Sequence, residues 1–118
     1  MRFKDKIVLI TGSAGGIGFK TAVDFGNEGA IVAVTDIDFE MAKKLSNQII
    51  SNGGIAEPLQ LDVTDLEQTK NVFEVLNQKY GVCDIVFCNA GIREITPMLD
   101  LEFEDWKKDI DVNVNGVF

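Results

Sequence analysis

Apolar residues along this chain follow two alternating periods. "KIVLIT" (6–11), "AIVAVTD" (30–36), "AEPLQLDV" (56–63) and "CDIVFCN" (83–89) are short apolar runs without regular polar alternation. Such runs form strands buried on both faces, as in a parallel sheet covered by helices. Pro58, near the beginning of the third run, suits an outer strand. Helical patterns lie between the runs. "IGFKTAVDFGNEG" places Ile17, Ala22, Phe25 and Gly29 at helical spacing, and "FEMAKKLSNQIISNGG" is closed by glycines. Thr64-Asp65-Leu66-Glu67 has the capping-box pattern at the head of a helix running to about Tyr80. After the loop "AGIREITPMLDLE", Trp106, Ile110, Val114 and Phe118 recur four apart and predict one face of a last helix. The order is β-α-β-α-β-α-β-α, which predicts an α/β fold around a parallel sheet.

Composition narrows the partners. A chain of 118 residues is one small domain or part of a larger one, and 46% hydrophobic content excludes disorder. Eleven Lys and Arg against nineteen Asp and Glu give a net charge of -8. That field repels phosphate backbones and anionic lipid, so neither nucleic acid nor a membrane is an expected partner. Any anionic ligand must be held by local donors. The apolar run Ile7–Ile10 is too short for a signal peptide or a membrane span, and a cytoplasmic protein is expected. Cys83 and Cys88 lie five apart in a strand-like run, which excludes an easy disulfide between them and matches no zinc spacing. They read as small core residues. Histidine is absent, so no triad or histidine-built metal site is expected.

Local donors are supplied by "TGSAGGIG" (11–18), between the first strand and the first helix. Gly12 allows a tight turn, Gly16 lets the backbone approach a pyrophosphate, and Gly18 lets helix and sheet pack closely. The N–H groups at the helix start then face the phosphates, where the helix dipole also favours negative charge. No Gly-Lys-Ser/Thr follows, which excludes a P-loop. Asp36 closes the second strand eighteen residues beyond Gly18. A carboxylate there accepts bonds from both adenosine ribose hydroxyls and repels a 2′-phosphate, and neither Gly15 nor Ile37 offsets that repulsion with a basic side chain. NAD is therefore favoured over NADP. The alternative is that Asp36 merely helps start the next helix.

The spacing Thr11-Gly12-x-x-x-Gly16-x-Gly18, with "LDVTD" at 61–65, "NAG" at 89–91 and "DVNVNG" at 111–116, resembles the short-chain dehydrogenase/reductase family in its non-extended branch. The extended branch, with its epimerases and dehydratases, usually has Gly-x-x-Gly-x-x-Gly, which this loop lacks. The resemblance covers the whole chain in the family's order. It departs where Cys88 replaces a frequent asparagine and where Glu102, a poorer cap, stands for Ser or Thr at the head of the last helix. It implies a Rossmann-type doubly wound parallel sheet, here an incomplete half of four strands in the order 3-2-1-4. It further implies that Thr11, Gly12, Ser13, Gly16, Ile17 and Gly18 hold the pyrophosphate, and that Asp36 and Ile37 fix the adenosine ribose. Asp62 and Val63 flank the adenine, the Asp bonding its amino group, and Asn89, Ala90 and Gly91 line the nicotinamide-side ribose. Asn113 belongs to a catalytic tetrad, distorting its helix and helping to hold a water in the proton relay. Simpler roles stay open: Asp62 as a strand-end turn residue, Asn89-Ala90-Gly91 as a turn, and Asn113 as an exposed helix residue.

The family's remaining chemistry needs a serine and a Tyr-x-x-x-Lys. Tyr80 is the single tyrosine and is followed by Gly-Val-Cys-Asp, while Ser13, Ser46 and Ser51 lie in the cofactor part. The chain also stops on "DVNVNGVF", a helical pattern without a terminating signal. Residues 1–118 are thus expected to be an NAD(P)-binding domain truncated within its last helix, with "CDIVFCN" left as an exposed apolar edge. The parent protein is expected to be a homo-oligomeric oxidoreductase acting on a small carbonyl or alcohol, and the isolated chain to be inactive. The alternatives are a non-catalytic NAD-binding module or pseudoenzyme, and an NADP-dependent ketoreductase such as a 3-oxoacyl carrier-protein reductase.

Overall fold

The computed structural model describes all 118 residues. Strands β1 (Ile7–Ile10), β2 (Ile31–Asp36), β3 (Ile55–Gln60) and β4 (Ile85–Phe87) alternate with helices α1 (Gly16–Asn27), α2 (Phe39–Ser51) and α3 (Leu66–Lys79). A 3-10 turn (Met98–Asp100), helix α4 (Phe103–Ile110) and a π-helical turn (Asp111–Asn115) follow. All neighbouring strands are parallel, in the order β3-β2-β1-β4. Val8 is in register with Val32 on one side and Ile85 on the other. The order reverses between β1 and β4, and that switch point is where open α/β sheets carry ligands.

Two cores form because successive strand residues point to opposite faces. Val8, Ile10, Val32 and Val34 pack with Ala22 of α1 and with Ala42, Leu45 and Ile49 of α2. Leu9 and Ala33 point the other way, onto Val72 and Leu76 of α3. Pro58 pairs with Val34 on the outer strand β3, which leaves its missing N–H outside the ladder.

Three local expectations shift. The buried face of α1 is Gly18, Ala22 and Gly26, one step round from the face starting at Ile17, whose side chain is 74% exposed. A Cβ at Gly18 would run into Asn89 and the Gly12 carbonyl, and one at Gly26 would lie 2.8 Å from Ile49 Cγ2 of α2, so this face takes only small residues. The cap of α3 is Asp65, one residue later than Thr64: its Oδ1 accepts the Gln68 N–H at 3.0 Å, but Gln68 Oε1 accepts the Asp62 N–H, so the reciprocal half of a capping box is not formed. Cys83 is half-buried and Cys88 is exposed. Cys88 is therefore no core residue, because β4 is an outer strand, paired only with β1. Burial lifts the Cys83 thiol above its ordinary pKa, and its Sγ donates to the Ile85 carbonyl at 3.2 Å.

The last helix is not continuous. Helix α4 lacks a side-chain cap at Glu102, as its sequence suggests. It passes at Asp111 into the π turn, which closes with the Gly116 N–H on the Asp111 carbonyl at 2.8 Å. No helix is long and apolar enough to cross a membrane.

Candidate functional site

The loops after β1 and β4 cross at the switch point, and side chains from both lock the crossing. Thr11 Oγ1 accepts the N–H groups of Asn89 and Ala90, each at 3.0 Å. Asn89 Nδ2 donates to the carbonyls of Thr11 at 3.1 Å and Gly12 at 3.0 Å. Gly12 sits at φ +61, and a Cβ there would lie 2.8 Å from Ala90 Cα. Both facts demand glycine. Gly18 answers a different need: its Cβ would lie 2.5 Å from Asn89 Nδ2 and 2.6 Å from the Gly12 carbonyl oxygen. Gly16, at φ +54, turns the chain into α1 with open space around it.

Ser13 faces inward. Its hydroxyl lies 3.0 Å from the Ile10 carbonyl and 3.2 Å from that of Thr35, and accepts the Thr35 N–H at 3.0 Å. It is fully buried, so this hydroxyl fastens the loop to β2 and is not available to a ligand.

Asp36 leaves β2 with both oxygens engaged by backbone donors. Oδ2 accepts the Ala14 N–H and Oδ1 the Asp38 N–H, each at 3.0 Å. The cap of α2 is Asp38, whose Oδ1 accepts the Met41 N–H at 3.1 Å. Starting that helix is thus the work of Asp38, and Asp36 instead joins the glycine loop to the rim of β2. Gln60 Nε2 reaches back to the Ile37 carbonyl at 3.2 Å. Asp62 shapes the turn after β3, with Oδ1 accepting from the Thr64 N–H at 2.9 Å and its hydroxyl at 2.7 Å.

These loops enclose a cavity of about 510 Å³ over the carboxyl ends of the strands. Gly12, Asp36, Ile37, Asp62, Val63, Asn89, Ala90 and Gly91 line it. Thr11, Ser13, Gly16, Ile17, Gly18 and Asn113 do not; they build the loops around it. The lining also includes Ala14 and Gly15, within the glycine loop read from the sequence, and Asp38, Met41, Leu61, Ile92 and Val112, to which the sequence reading gave no role of their own. Leu61 and Val112 flank recognised motif residues, which was the available signal; Met41 enters only because α2 begins at the rim.

Asn113 stands in the π turn. Its Oδ1 accepts the Ile92 N–H at 2.8 Å, and its Nδ2 donates to the Ile92 carbonyl at 2.7 Å. A single amide thus satisfies both backbone groups of Ile92, pinning the loop after Gly91. A Cβ at Gly91 would lie 3.2 Å from Asn113 Oδ1, close enough to press on this clasp. Asn115 is exposed and bonds only to Asp111.

A Rossmann-type doubly wound sheet, with glycine turns at its switch point and a carboxylate at the end of the neighbouring strand β2, is the class that fold and site define. The family described as short chain dehydrogenase matches residues 6–118, and the chain belongs to that family. It is 42% identical to the 3-oxoacyl-[acyl-carrier-protein] reductase FabG of Thermotoga maritima, over all of this chain and 48% of that protein. It is 36% identical to the cyclohexanol dehydrogenase of an Acinetobacter species, over 99% of this chain and 47% of the other. A crystal structure of a short-chain type dehydrogenase/reductase from Mycobacterium marinum superposes with a TM-score of 0.94 at 36% identity, covering 98% of this chain and 47% of that one. The chain spans about half the length of these relatives.

Proposed function

We propose that this chain is the cofactor-binding part of an NAD-dependent oxidoreductase that moves hydride between nicotinamide and a carbonyl or secondary-alcohol carbon. Asp36 carries the reading. Its carboxylate stands on the cavity rim, tied at 3.0 Å to the glycine loop, where an adenosine ribose would meet it. The residues fit a dinucleotide: Gly12 and Gly16 leave the loop backbone bare, and the start of α1 offers N–H groups to a pyrophosphate. Thr11, Ser13 and Gly18 hold that loop in shape, and Ile17 contributes its backbone. Ile37 closes over the ribose, Asp62 and Val63 take the adenine, and Asn89, Ala90 and Gly91 line the nicotinamide end. Bound nicotinamide supplies the hydride donor or acceptor. Asn113 serves the reaction by holding Ile92 and opening its helix into the π turn, because its amide is already committed to Ile92.

The serine and the Tyr-x-x-x-Lys that complete this chemistry are absent from residues 1–118, so in this reading the isolated domain binds cofactor without turning over. The complete protein works in the cytoplasm as a homo-oligomer on a small carbonyl or alcohol. A second reading, an NADP-dependent 3-oxoacyl carrier-protein reductase, is favoured by the 42% identity to the Thermotoga reductase. Titration of the full-length protein with NADH and NADPH separates the two. NADH is expected to bind on the order of tenfold tighter, and Asp36→Arg to erase or invert that preference. Equal affinities in the unaltered protein refute the Asp36 reading.

A further inference from the structure

Asp62 is held by its own loop more firmly than a turn requires. Two donors from one residue, the N–H and the hydroxyl of Thr64, converge on Oδ1 at 2.9 and 2.7 Å. The Asp62 N–H donates to Gln68 Oε1, and the Asp62 carbonyl accepts the Asp65 N–H at 3.0 Å. Gln68 is fixed in turn, because its own N–H donates to the capping Asp65 carboxylate at 3.0 Å. The backbone of Asp62 is therefore tied to Gln68 in the first turn of α3 and to the capping Asp65, and its side chain to Thr64 in the turn before that helix. Oδ2 takes no bond from the protein, and the residue lines the cavity between apolar Leu61 and Val63. An oriented carboxylate oxygen beside Leu61 and Val63 on the cavity wall suits a purine that carries an exocyclic amino group.

We propose that Gln68 and Thr64 are positioning residues for adenine selection, holding the Asp62 carboxylate so that Oδ2 receives that amino group. The inference rests on the dinucleotide-binding reading and on the place of Asp62 within it. A clamped carboxylate also excludes alternatives. A base with a carbonyl at that position presents an acceptor to an acceptor, and Oδ2 cannot swing to the neighbouring ring N–H while Thr64 holds Oδ1.

The test compares dissociation constants of the full-length protein for NADH and for deamino-NADH, whose hypoxanthine carries a carbonyl in place of the amino group. The unaltered protein is expected to bind NADH on the order of tenfold tighter. Gln68→Leu and Thr64→Val each bring the ratio toward one, mainly by weakening NADH, whereas Thr64→Ser keeps the hydroxyl and keeps the ratio. Thr64 is exposed, so its variants fold even if Gln68→Leu does not. Variants that weaken both ligands by the same factor, leaving the ratio intact, have lost a merely structural contact, and that result overturns the proposal. A ratio of one in the unaltered protein, with NADH still bound, removes the Asp62–adenine contact and the proposal with it. No binding of either ligand refutes the dinucleotide reading itself.

Discussion

Gly18→Ala sets helix propensity against packing, and the structure says which wins. Gly18 lies inside α1, where alanine in place of glycine stabilises by about 0.5–1 kcal/mol if nothing else changes. Here the added methyl would stand 2.5 Å from Asn89 Nδ2, 2.6 Å from the Gly12 carbonyl oxygen and 2.9 Å from Ser13 Cα. Two of those three atoms are backbone, in a loop already bonded to β2 and β4, so neither moves without disturbing the crossing. Overpacking of this kind costs about 1–3 kcal/mol. Displacing Asn89 also removes its bonds to Thr11 and Gly12, at about 0.5–1.5 kcal/mol each. The penalties exceed the propensity gain, and a net loss of about 1–5 kcal/mol is expected. Urea denaturation of the full-length protein reads this directly. Gly15→Ser is the matched control: its backbone is extended, its Cβ has open space, and it gives α1 a capping hydroxyl that the helix lacks. It should be neutral or slightly stabilising. A Gly18→Ala protein as stable as the unaltered one would refute the close approach of α1 to Asn89.

Helix ends and acid stability offer further tests. Asp65→Ala should cost about 1 kcal/mol by removing the α3 cap, whereas Glu102→Ser should add up to about 1 kcal/mol where α4 has none; amide exchange within each helix reports both. Lys6, bonded to Asp84 Oδ1 at 2.8 Å, and the Ile7 N–H on Oδ2 hold the Asp84 carboxyl below its ordinary pKa. The native protein therefore releases that proton more readily than the unfolded chain. Its stabilising effect is full above the ordinary carboxylate range and is lost as pH falls through the depressed value. Asp84→Asn should accordingly flatten the fall in urea midpoint between about pH 6 and 3, and an unchanged slope would refute the assignment.

Much of the cavity lining is legible in the sequence. Gly12 and Gly16 are legible from their place between a strand and a helix, and both stand at positive φ in the structure; Asp36 is legible because its distance from the loop follows from one helix and one strand. Val63 and Ile37 follow from motif position alone, and both line the cavity. The inward turn of Ser13 was not legible, since its partner Thr35 lies across the sheet. The exposure of Cys88 agrees with the edge position that the resemblance implies for "CDIVFCN", and not with the reading of Cys88 as a small core residue.

The sequence by itself determined the element order, the parallel sheet, the glycine turns and the rim carboxylate. These are local in cause: strand period, turn conformation and capping chemistry act within a few residues. Tertiary structure alone decided which face of α1 is buried, because periodicity sets the angle between residues but not where the sheet lies. It also decided that Asn113 clasps Ile92, twenty-one residues away, at 2.7 and 2.8 Å. A helical asparagine announces that it needs a partner, and only the folded chain supplies one.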